Sequence, residues 1–133
     1  SQKSDHLARL ACADLFLDTT PCGGHTTASD ALWMGVPVVT MKGRQWASRV
    51  ASSLLQSMGR SDLITESLPE YKALIIRLAR DATERHKIRT QIWAARTQQP
   101  TFDFLRWTAH MEQAWTRMWR NAKLGRHSEI LIH

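Results

Sequence analysis

Between Asp14 and Met41 the chain runs from a short apolar stretch, Asp14-Leu15-Phe16-Leu17-Asp18, across Pro21 and the pair Gly23-Gly24 into a helical stretch, Thr26 to Met34. Gly35 stops that helix, and the β-branched run Val36-Pro37-Val38-Val39-Thr40-Met41 follows. Strand, glycine loop, helix and strand in this order leave few folds open, because two strands joined by a helix pair side by side in parallel. The Lys42-Gly43-Arg44 turn and a second helix from Ala47 to Met58, closed by Gly59, repeat the unit. The reading is an α/β fold.

The flanking segments extend it. Ser4 to Ala11 has a capping serine and helical leucine spacing, and Leu63-Ile64 reads as a third short strand. Pro69 opens a long helical stretch to about Gln98 with a break or bend near Ala82-Thr83, and Pro100 separates a last helix, about Phe102 to Lys123. On that helix Phe104, Trp107, Met111, Ala114, Trp115, Met118 and Trp119 recur at i, i+3, i+4 spacing, a stripe expected to be core packing. The expected organisation is an α/β portion over 1–67, a helical portion over 68–126 packed on it, and a tail over 127–133.

With 133 residues and 43% apolar content the chain suffices for one domain or a piece of a larger one. No stretch approaches the roughly 18 consecutive apolar residues of a membrane span, and the N-terminus lacks a signal-peptide pattern, so a cytoplasmic location is expected and no membrane partner. Cys12 and Cys22 match no metal or redox spacing; both are expected as reduced thiols, Cys12 buried. Net charge is +6, with the excess in residues 72–126, which hold twelve Lys/Arg against four Asp/Glu. Without an aromatic-interleaved groove these cations read as a solvated helix surface, so nucleic acid is not an expected partner.

The chemistry lies in Asp18-Thr19-Thr20-Pro21-Cys22-Gly23-Gly24-His25-Thr26-Thr27, which leaves the C-terminal end of a strand and enters a helix. Ligands of open α/β sheets bind at that edge. Glycines admit close approach of the backbone, and a helix N-terminus offers free N–H groups and about half a positive charge, a combination suited to a diphosphate. Thr26 and Thr27 add hydroxyls, His25 a ring N–H, and Asp30, one turn on, an acceptor for ribose hydroxyls. Taken by residue type alone, a Thr at a helix start is usually a plain cap and a Gly pair a turn, and that reading stays open beside the functional one.

The same run, with Asp30, Leu32-Trp33, Gly35, Pro37-Val38-Val39-Thr40-Met41 and Ala47-Ser48-Arg49-Val50-Ala51, resembles the signature of the O-GlcNAc transferases and the related SPINDLY-type proteins. The resemblance is strong from Lys3 to about Gly59 and looser to about residue 120. It implies the later part of the C-terminal, Rossmann-like domain of a GT-B glycosyltransferase, with a short parallel sheet of about three strands, flanking helices, and further C-terminal helices. It implies that His25, Thr26 and Thr27 hold the donor diphosphate and Asp30 the ribose. By the same resemblance Lys3, His6 and Arg9 line the nucleoside pocket, with His6 against the base.

Two departures are Gly24 before the His-Thr-Thr run and Lys42-Gly43-Arg44 where the family usually has Pro-Gly-Glu. The implied parent is a cytoplasmic protein O-GlcNAc transferase with helical repeats, transferring N-acetylglucosamine from UDP-GlcNAc to Ser or Thr of acceptor proteins. Inversion without metal or cofactor is expected, Thr26 and Thr27 stabilising the leaving group. The implied upstream strands, a glutamine, a pyrophosphate-binding lysine and the acceptor-side domain with its catalytic histidine fall outside these 133 residues. No catalytic residue is therefore expected here, and the chain alone is expected to be inactive and prone to self-association through an exposed sheet edge. The alternatives are a GDP-fucose-using SPINDLY-type protein O-fucosyltransferase and a non-catalytic nucleotide-binding or interaction module.

Overall fold

A computed structural model describes residues 2–126, so the expected tail at 127–133 lies outside the described residues. Helix α1 (Lys3–Ala11) leads to strand β1 (Phe16–Leu17), α2 (Thr26–Trp33), β2 (Val38–Met41), α3 (Val50–Ser57) and β3 (Ile64–Thr65). Helices α4 (Leu68–Arg80), α5 (Ala82–Gln98) and α6 (Phe104–Lys123) follow. The three strands are parallel in the order β1-β2-β3, Phe16 opposite Val38 and Thr40 opposite Ile64. Backbone bonds from Phe16 to the Pro37 carbonyl (2.8 Å) and from Asp18 to Val39 (3.0 Å) carry the pairing to the end of β1.

The central strand explains its own sequence. A strand covered on both faces reads as a continuous apolar run rather than an alternating one, and Val38, Val39 and Thr40 are all fully buried. Leu32, Leu55, Leu63, Leu78 and Ile92 complete the core from the surrounding helices. Helix α2 ends as the glycine predicts: Gly35 has φ 76°, and the N–H groups of Gly35 and Val36 bond to the carbonyls of Leu32 (3.0 Å) and Ala31 (2.8 Å). Those two bonds make a Schellman motif, in which the left-handed residue costs glycine least. On α5, Arg89 donates to the carbonyls of Ala11 and Ala13 and so ties the end of α1 to the body of the unit.

Several boundaries differ from the sequence expectation. Gln2, not Ser4, is the N-cap of α1; its backbone N–H bonds to Asp5 three residues on (3.3 Å), as in a capping box. The helix expected from Ala47 is a 3-10 turn, Trp46–Ser48, followed by α3. The long helical stretch does break where a break or bend was expected, at Asp81 next to Ala82; the extended backbone of Asp81 ends α4 while its carboxylate accepts from the Glu84 N–H (2.8 Å) to start α5. Cys12 is exposed rather than buried: it occupies the C-cap of α1, a helix with no buried residue, and its thiol faces the Ala8 carbonyl at 3.5 Å.

The chain divides into two compact units after Thr101. The second contains α6, none of whose residues is buried; Phe104, Trp107, Trp115, Met118 and Trp119 are exposed. The expected burial of this stripe is thus not found: among the described residues of this unit, no second helix or strand faces α6. No described helix is long and apolar enough to cross a membrane.

Candidate functional site

The loop between β1 and α2 is built around one buried carboxylate. Asp18 is 6% exposed, and its Oδ1 accepts from the Gly24 N–H (2.6 Å) while its Oδ2 accepts from Thr40 Oγ1 (2.7 Å). The Tyr71 hydroxyl on α4 donates to the Asp18 backbone carbonyl (2.5 Å). Burial, and then the neighbouring Asp18 charge, push the Tyr71 hydroxyl above its ordinary pKa, which keeps it a donor. A Cβ on Gly23 would lie 2.8 Å from Asp18 Oδ2, and one on Gly24 2.8 Å from Thr27 Oγ1, so a larger residue at either position must displace that side chain. Across the loop, Gly23 donates to the Ala47 carbonyl (3.0 Å) and Thr19 Oγ1 to the Cys22 carbonyl (2.9 Å).

This scaffold delivers the chain to α2 with its N-terminus open. His25 is the N-cap, at φ −99° and ψ −86°, and no side chain caps the helix. Thr26 and Thr27 form the exposed first turn. The first N–H groups of such a helix and its dipole favour an anion. The His25 ring is held by Nε2 at 3.2 Å from the Ala47 carbonyl and by Trp46, set edge-on at 4.9 Å and 81°. A carbonyl only accepts, so Nε2 carries a proton and Nδ1 is the nitrogen left for a ligand.

One turn along α2, Asp30 gathers the first helix. Its Oδ2 pairs with Lys3 Nζ and lies 3.3 Å from His6 Nε2, and its own side chain is only 14% exposed. The predicted residues thus fall into two adjacent groups on α2: His25, Thr26 and Thr27 at its start, and Asp30 with Lys3 and His6 a turn later. Arg9 does not join them; it is exposed in the last turn of α1.

Two clefts flank the loop without enclosing it. One of about 290 Å³ has Thr20, Pro21, Arg44 and Ser48 in its walls, and one of about 480 Å³ has Lys42, Trp46 and Arg49. Thr26 and Thr27 line neither and stand on open surface. The supporting residues Asp18, Thr40 and Tyr71 were not among those predicted. The available signal was an aspartate directly after one apolar strand and a threonine inside another; Tyr71 gave none.

Residues 1–111, which contain the loop and both groups, match the model of glycosyl transferase family 41. The chain belongs to glycosyltransferase family 41.

Within the family, it is 39% identical over 123 residues to the UDP-N-acetylglucosamine--peptide N-acetylglucosaminyltransferase of Caenorhabditis elegans, covering 92% of this chain and 11% of that protein. It is 38% identical to the probable enzyme SEC of Arabidopsis thaliana, over 90% of this chain and 12% of the relative. A SPINDLY protein of Oryza sativa subsp. japonica is 37% identical, over 87% and 12%. A solved mutant of the Thermobaculum terrenum O-GlcNAc transferase superposes with a TM-score of 0.81 at 37% identity, covering 92% of this chain and 24% of that one. The chain therefore spans about a tenth of the length of these curated family-41 relatives. The expected α/β fold with three parallel strands holds, and it is shared with a solved family member.

Proposed function

We propose that this chain is the donor-binding part of a protein O-GlcNAc transferase, holding UDP-GlcNAc while N-acetylglucosamine passes to Ser or Thr of a protein acceptor. The observation that carries the reading is the uncapped N-terminus of α2 at the C-terminal edge of a parallel sheet, with the Lys3–His6–Asp30 group one turn away. In this reading the diphosphate lies against the N–H groups and hydroxyls of Thr26 and Thr27 and against His25. The ribose hydroxyls bond to Asp30, exchanging with Lys3, and His6 faces the base, with Arg9 at the outer edge of the pocket.

Such an arrangement acts on the leaving group. As the glycosidic bond breaks, negative charge grows on the departing UDP, and fixed donors aimed at it lower the barrier by roughly 3 to 4 kcal/mol for each key donor. UDP is favoured over GDP because the relatives quoted above carry UDP-N-acetylglucosamine in their names.

Binding of UDP and GDP to the full-length protein, with turnover assays on UDP-GlcNAc and GDP-fucose, tests the reading. UDP-selective binding with UDP-GlcNAc turnover supports it; GDP-selective binding with GDP-fucose turnover supports a SPINDLY-type fucosyltransferase, and turnover of neither donor supports a non-catalytic module.

A further inference from the structure

We propose that Asp18 is the positioning residue of the donor site, setting the loop that presents the first turn of α2 to the diphosphate; this rests on the donor-binding reading above. The carboxylate has a donor on each oxygen, Gly24 N–H from the loop and Thr40 Oγ1 from β2, and the residue's own carbonyl takes the Tyr71 hydroxyl from α4. Three separate segments are thereby fixed to one residue, and Gly24 stands next to His25. The space where Gly23 would carry a Cβ is occupied by the same carboxylate.

The sign of the charge shows what kind of role this is. A buried carboxylate beside an anion site opposes the anion, so attraction cannot be its contribution. A buried carboxylate is tolerated only when its oxygens are hydrogen-bonded, and bonds to an ionised acceptor are about twice as strong as neutral ones. Its effect is geometric: it withdraws the Gly24 N–H from solvent and aims the chain so that the next free N–H groups are those of Thr26 and Thr27. A displacement of about 1 Å at a site of this kind can cost on the order of 100-fold.

The test is UDP titration calorimetry on the full-length protein, with thermal unfolding of each variant. Wild type must bind UDP and Thr27→Ala must weaken it; failure of either removes the donor reading and this proposal together. With both satisfied, Asp18→Ala is expected to weaken UDP binding by more than about tenfold, and Asp18→Asn, which keeps one oxygen for Gly24, by about threefold. Should Asp18→Ala not fold, the Asn variant decides alone. UDP affinity unchanged or tightened in Asp18→Asn and in whichever Asp18 variants fold, even with lower melting temperatures, would overturn the proposal and leave Asp18 a core residue.

Discussion

Helices α4, α5 and α6 each begin on a side chain that closes their own N-terminus, and α2 does not. Ser67 accepts from the Glu70 N–H (3.4 Å), Asp81 from Glu84 (2.8 Å) and Asp103 from Arg106 (3.0 Å), whereas His25 caps nothing. A missing cap leaves orphan donors and forgoes about 1 kcal/mol. Helix α3 also starts without a side-chain cap, so the open end of α2 is set apart by the loop before it, which is held by Asp18 and delivers that end to the C-terminal edge of the sheet.

This contrast can be broken from either side. The largest effect is expected from Thr27→Ala in the full-length protein: turnover falls roughly 100- to 1,000-fold while the melting temperature stays within a degree or two of wild type. A full rate in steady-state assay removes Thr27 from the site. His25→Asp gives α2 a cap of the kind that starts α5 and α6 and sets a carboxylate in the anion's place; UDP binding by calorimetry weakens by more than about tenfold. Retained affinity would mean that the ligand does not use the helix end.

The converse change is Asp81→Ala, which removes a cap where no ligand is expected. It lowers stability in denaturant titration by about 1 kcal/mol and leaves UDP affinity alone. The smallest effect concerns the hydroxyl that braces the loop. Because Tyr71 has its pKa raised above 10.0 by burial and then by Asp18, its contribution is complete below pH 10 and is lost as pH rises through the folded value. Tyr71→Phe costs about 1 kcal/mol at neutral pH and flattens this alkaline decline, as unfolding curves taken from pH 8 to 11 would report.

Much of the sheet and the loop could be read from the residues. The Val38-Val39 run favours extended backbone, Gly35 tolerates the left-handed helix stop, and the Gly23-Gly24 pair interrupts regular structure, so local chemistry decides β2, the end of α2 and the approach to it. Partners distant in sequence were not legible. Tyr71 reaches Asp18 across 53 positions, and Lys3 reaches Asp30 across 27, contacts that only the assembled fold creates. Cys12 and the α6 stripe went wrong for a related reason: residue type suggests burial, but burial needs a facing surface, and neither the end of α1 nor the described part of the unit containing α6 supplies one. Arg9 follows the family pattern by position yet stays apart from Asp30, since spacing fixes a helix face and not the reach of a side chain.

The central claim is that the start of α2 and the Asp30 group form one donor pocket. Calorimetric titration of the full-length wild type and of a His25→Ala/Asp30→Ala double variant with UDP and GDP tests it most directly. The account predicts saturable, uridine-selective binding that the double variant loses. Equal UDP affinity in wild type and double variant would contradict it.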